Sequence, residues 1–214
     1  MSFFDSLPAP APAPPRRARR PAWARSDAVI PGSVAGEVIV ARTDQAAVAA
    51  GSIRAYPNGF EFTVHIRLRY QDETSGEWAM DPFARHGRGS SEPSDALRLG
   101  LMYADGRRAA SSGGPDPSDG DPGRLILHPE GGGGDSLSWR TDFWAHPLPP
   151  DGPVTLVVSW PAQRIEEARA ELDGAAIRAA AQQAVTLWPE EPAPESAAGW
   201  TTSTITATQG AEDD

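Results

Sequence analysis

Four histidines, His65, His86, His128 and His146, are the side chains best suited to metal ligation or proton transfer. No two are spaced i, i+2 or i, i+4, the separations that aim two imidazoles at one metal from a single element. Cysteine is absent, which removes thiolate nucleophiles and cysteine-ligated zinc. No Gly-x-Ser-x-Gly elbow occurs. The run Gly87-Arg88-Gly89-Ser90-Ser91 is a flexible loop that could hold an anion only through backbone N–H groups and Arg88. Gly131, Gly132, Gly133 and Gly134 read as a turn, because no Lys-Ser/Thr follows them to make a phosphate loop. Asp116, Asp119 and Asp121 offer hard oxygens, but the twelfth position from Asp116 is Leu127 rather than the glutamate of a calcium loop. Glu166 and Glu167 face opposite sides of a strand and cannot act as a carboxylate pair. The expectation is no metal, no cofactor and no catalytic residue.

Aromatic residues give the richest signal. Trp78 and Phe83 lie in a long polar connection over 72–95, and Trp139 and Trp144 lie just before Pro147-Leu148-Pro149-Pro150. Exposed tryptophans and arginines are typical anchors of interaction surfaces. The candidate binding residues are therefore Trp78, Phe83, Arg85, Arg88, Trp139 and Trp144. The competing reading is that these aromatics cap the ends of a β-sandwich. Trp160 is expected in the core.

The elements that would position them follow a period of two. Phe60, Phe62, Val64, Ile66, Leu68 and Tyr70 alternate with Glu61, Thr63, His65, Arg67 and Arg69. That is a strand with one apolar and one wet face. Pro57-Asn58-Gly59 precedes it as a turn in which Asn-Gly tolerates positive φ. Segments 48–56 and 60–70 thus form a hairpin. Leu97, Leu99, Leu101 and Tyr103 alternate likewise, and Asp105-Gly106 turns the chain towards 107–110. Val154, Leu156, Val158 and Trp160 mark another strand. Shorter strands are expected over 37–42, 124–128 and 137–141. Segment 166–185 reads as strand, Asp173-Gly174 turn and short helix; one continuous helix is the alternative. Residues 111–123 read as a mobile loop. The fold class is mainly β: an antiparallel sandwich, Ig-like or jelly-roll-like, with one short C-terminal helix and disordered termini.

The chain has 214 residues with 22 Pro and 21 Gly, too many helix breakers for a helical bundle. Three parts are expected: a Pro/Ala/Arg-rich disordered tail over 1–30, a sandwich over 31–189 and an acidic disordered tail over 190–214. All 19 basic residues are arginine, and the net charge is -10. Such a balance repels phosphate backbones, so no nucleic-acid partner is expected. No apolar run is long enough to span a membrane. The first residues lack the order of a secretory leader, which makes the cytoplasm the expected compartment. Pro12, Pro15 and Arg17 match the Pro-x-x-Pro-x-Arg pattern read by aromatic grooves.

The run PLPPDGPVTLVVSWP, followed by IEEARAELDGAAIRAA and LWPE, resembles a family of small uncharacterised actinobacterial proteins. SIRAYPNGFEFTV and LRLGLMYADGRR fit the same pattern, so the likeness covers roughly 34–190. The resemblance implies no activity, cofactor or catalytic residue. The functional expectation is a non-enzymatic intracellular protein-interaction or scaffolding module with a protein partner. The alternatives are a carbohydrate- or small-ligand-binding sandwich and, less favoured, a hydrolase assembled from His86, His128, His146 and nearby acids.

Overall fold

Alternating apolar residues build twelve strands among the described residues, which in this computed structural model are 21–70, 82–83, 96–111 and 123–188. In chain order they are β1 (Val29–Ile30), β2 (Gly32–Val34), β3 (Val38–Arg42), β4 (Ala46–Tyr56), β5 (Gly59–Leu68) and β6 (Arg98–Tyr103). Then come β7 (Arg108–Ala110), β8 (Ile126–Gly134), β9 (Ser138–His146), β10 (Val154–Trp160) and β11 (Ile165–Leu172). Helix α1 (Gly174–Gln182) and β12 (Val185–Thr186) complete the set. One sheet has the order β2-β4-β5-β9-β8, with β3 also paired to β4. The second has the order β11-β10-β6-β7, and β1 pairs with β12 in a separate ribbon. Every pairing is antiparallel. The architecture is mainly β with one short C-terminal helix. Its strand order identifies neither an Ig-like nor a jelly-roll form.

The inward faces of both larger sheets feed one apolar cluster. β5 contributes Phe60, Phe62, Val64 and Ile66; β6 contributes Leu99, Leu101 and Tyr103; β10 contributes Val154, Leu156, Val158 and Trp160. Each large side chain buried this way stabilises the fold by roughly 1.5–3 kcal/mol. Phe62 stacks on Phe143 at 5.8 Å between ring centroids. The Asp173 carboxylate caps α1 by accepting from the N–H groups of Ala175 and Ala176. α1 buries Ile177, Ala180 and Ala181. Its backbone approaches Gly32 so closely that a Cβ there would sit 1.9 Å from the Ala180 carbonyl oxygen.

A bulge in β4 sets which residues face outward. Gly51 pairs with Thr63 and Arg54 with Glu61, so Ser52 and Ile53 together oppose the single residue Phe62. The extra residue switches the parity of the strand. Ala46, Val48 and Ala50 are buried before it, and Ile53 and Ala55 after it. Without it, Arg54 would point into the core. Ser52 takes up the distortion at φ 51°.

Four expectations need correction. Gly131, Gly132, Gly133 and Gly134 are the end of β8, paired with β9, rather than a turn. The reversal lies after them, where Asp135 accepts from the N–H groups of Leu137 and Ser138. β9 runs on to His146, well past the expected end at 141. Gly59 does not have positive φ. It is required because the Trp144 ring lies 2.6 Å from where its Cβ would be. Residues 21–30, expected within the disordered tail, are described here: 22–25 contact the larger sheet and Val29–Ile30 pair with β12. Residues 1–20, 71–81, 84–95, 112–122 and 189–214 lie outside the described residues, and with them the remaining expected tails, the Pro-x-x-Pro-x-Arg match and most of the expected loop over 111–123. No helix among the described residues is long and apolar enough to cross a membrane.

The bulge yields a direct test. Replacing Ser52 with valine puts a β-branched side chain at positive φ and should lower stability by about 1–2 kcal/mol. Ser52→Gly should not lower it. Urea unfolding followed by circular dichroism measures both.

Candidate functional site

The outer face of the larger sheet carries the polar residues of the β5 alternation. Glu61 lies opposite Trp144, Thr63 opposite Asp142, His65 opposite Arg140 and Arg67 opposite Ser138. Part of this face is covered by residues 22–25, which cross it as a strap.

Glu61 is the anchor of the strap. It is only 2% exposed although it lies on the outer face. Arg25 of the strap donates to one carboxylate oxygen at 2.5 Å, and Arg54 of β4 donates to the other. A buried carboxylate without such partners would be strongly destabilising. The Arg25 guanidinium also stands 6.0 Å over the Tyr56 ring and 3.8 Å from Glu130. Burial, reinforced by the Glu61 charge, pushes the Tyr56 phenol above its ordinary pKa. Tyr56 therefore stays neutral, with its hydroxyl 3.5 Å from Glu61.

Backbone contacts complete the attachment. The Trp144 indole N–H donates to the Trp23 carbonyl at 2.7 Å. The Asn58 amide donates to the carbonyls of Ala22 and Ala24. His146 Nδ1 lies 2.7 Å from the Asn58 carbonyl oxygen. Burial lowers the His146 pKa, opposed by that hydrogen bond. The ring is then neutral at pH 7, and its Nδ1–H donates to Asn58. Trp23 meets the edge of His128 at 6.2 Å.

These contacts decide the fate of the sequence candidates. Trp144 is wholly buried and forms part of the strap's seat, so it is not an exposed platform. Trp139 faces inward opposite Ile66, is half-buried, and donates its indole N–H to Thr141 at 3.1 Å. Phe83 packs against the core with its ring edge on Phe143 at 5.1 Å. The three described candidates are therefore packing residues. Trp78, Arg85 and Arg88 lie outside the described residues. Carbohydrate stacking loses Trp139 and Trp144 as platforms. His128 and His146 sit on neighbouring strands, while His86 lies outside the described residues. Among the described residues no three metal-ligating side chains converge.

Sequence reasoning missed Glu61, Arg54, Arg25 and the strap. Glu61 read only as an outward member of an alternation, and Arg25 as part of a basic tail. The available signal was a carboxylate between Phe60 and Phe62, and a Trp-x-Arg inside a segment otherwise poor in apolar residues.

A second feature stands apart from this face. Ile30 pairs with Val185 in the β1–β12 ribbon. Leu187 follows in a bend, and its N–H donates to the Ala28 carbonyl at 2.7 Å. Ile30, Val185, Leu187 and Trp188 are 53%, 55%, 44% and 58% exposed, high values for large apolar side chains. No protein-family model, curated protein or solved structure matches this chain.

Neutralising the anchor tests this geometry. Glu61→Gln leaves Arg25 and Arg54 without their carboxylate and should cost about 2–3 kcal/mol, allowing for the partly exposed guanidiniums. Urea unfolding of the wild type and variant gives the difference. A change below about 0.5 kcal/mol would remove the ion pairs from the account.

Proposed function

We propose that this chain is a non-enzymatic protein-interaction or scaffolding module. One observation carries the reading: the exposed apolar set of Ile30 and Val185 in the β1–β12 ribbon and Leu187 and Trp188 in the bend that follows it. Scattered exposed apolar residues are ordinary, but a run of them gathered on one ribbon favours burial against another surface. The partner this surface suits is a protein presenting an apolar patch, with Trp188 as the largest single contributor on this side. The net charge of -10 weighs against a nucleic-acid partner.

Mutation of the ribbon tests it. Full-length chain and the variants Val185→Asp and Trp188→Ala are used as baits in lysate of the native host. Both positions of change are exposed, so melting temperatures should stay within a few degrees. The reading expects a discrete partner on the wild-type bait whose affinity, measured with the purified partner, falls at least tenfold in each variant. A partner held equally by all three baits, or no discrete partner, contradicts it.

A further inference from the structure

The half of the outer sheet face beyond the strap is open. There β8 runs as four glycines beside β9. Gly131 pairs with Asp142 and Gly133 with Arg140, residues that face outward. A Cβ built on Gly131 or Gly133 meets nothing within 4 Å. Two strand positions are thus bare backbone, next to a ridge of long polar side chains. The result is a groove of about 510 Å³ whose walls include Arg67, Ser138, Arg140 and Asp142.

The charges in this groove are not balanced from within. His65 is opposite Arg140 and Arg67 is opposite Ser138, so the two arginines are diagonal neighbours with backbones roughly 7–8 Å apart. Arg67 donates to its neighbouring carbonyl, Ile66. Among the described residues neither Arg67 nor Arg140 forms an ion pair. The nearest acid in the groove is Asp142, and one of its oxygens accepts from the Thr63 hydroxyl at 2.6 Å. His65 has its Nε2 buried without a partner.

The covered half of the same face shows the contrast. There Arg25 and Arg54 hold the Glu61 carboxylate between them. In the open half a second pair of arginines has no such ion-paired carboxylate among the described residues, although the chain as a whole carries an excess of acids. Two guanidiniums in one groove repel each other, and an oxyanion between them removes that cost and gains charge-assisted hydrogen bonds. The bare glycine floor allows the body of a ligand to lie close to the sheet.

We propose that this groove binds an oxyanion, the phosphate or carboxylate group of a ligand laid over Gly131 and Gly133, with Arg67 and Arg140 as its charged donors. The proposal concerns a different surface from the apolar ribbon and does not depend on it.

Titration of the 15N-labelled full-length chain tests it. The probes are inorganic phosphate and, separately, succinate, with sodium chloride holding ionic strength constant. The expected result is saturable movement of the Gly131 to Gly134 amide signals by at least one probe. Arg67→Gln and Arg140→Gln should each weaken that binding about tenfold or more. Gly133→Val keeps the charges but fills the floor, and should weaken binding without lowering the melting temperature. Saturation by phosphate alone assigns a phosphate ligand, and saturation by succinate alone a carboxylate one. Linear drift with both probes, or saturation that survives both arginine variants, overturns the proposal.

Discussion

A carboxylate buried on the outer face of a sheet has to bring its counter-charges with it, and Glu61 does so. Arg54 reaches it because the bulge at Ser52 shifts the parity of β4 and turns that arginine outward. Arg25 reaches it because residues 22–25 cross the sheet as a strap. Trp144 then serves two purposes. Its ring fills the space that Gly59 leaves, and its N–H holds the Trp23 carbonyl. Asn58, in the turn between β4 and β5, fastens the strap from the other side. Bulge, turn, glycine and strap all converge on one ionised group.

The same face is organised in two different ways. Under the strap, Arg25 and Arg54 are matched to the Glu61 carboxylate, which is shielded from water. Beyond it, Arg67 and Arg140 share a glycine-floored groove with Asp142, and among the described residues neither arginine forms an ion pair. A sheet face can use one chemistry for both ends, with cohesion where the anion is internal and recognition where it comes from outside. The apolar ribbon adds a second surface of different character, built from segments just before β2 and just after α1.

Much of the fold was legible because the apolar alternation is nearly uninterrupted. Phe60 to Ile66, Leu99 to Tyr103 and Val154 to Trp160 announce their inward faces directly. Asp173-Gly174 announces the start of α1, and the strand before it is a strand rather than helix. The strap was not legible, because hydrogen bonds and ion pairs hold it, and these leave no periodic trace. The β8 glycines misled for a related reason: glycine favours turns in isolation, but pairing with β9 supplies the hydrogen bonds that make an extended strand. Trp144 and Trp139 misled because residue type does not reveal facing. Only the register of β9 against β5 places one under the strap and the other inward.

Hydrogen exchange read by mass spectrometry tests most directly whether Glu61 fastens the strap. The measurement compares the wild type, Glu61→Gln and the paired variant Arg67→Gln/Arg140→Gln. The account predicts that Glu61→Gln loses protection over 21–28 while β5 and β9 keep theirs, and that the paired variant keeps protection everywhere. Unchanged protection of 21–28 in Glu61→Gln would contradict it.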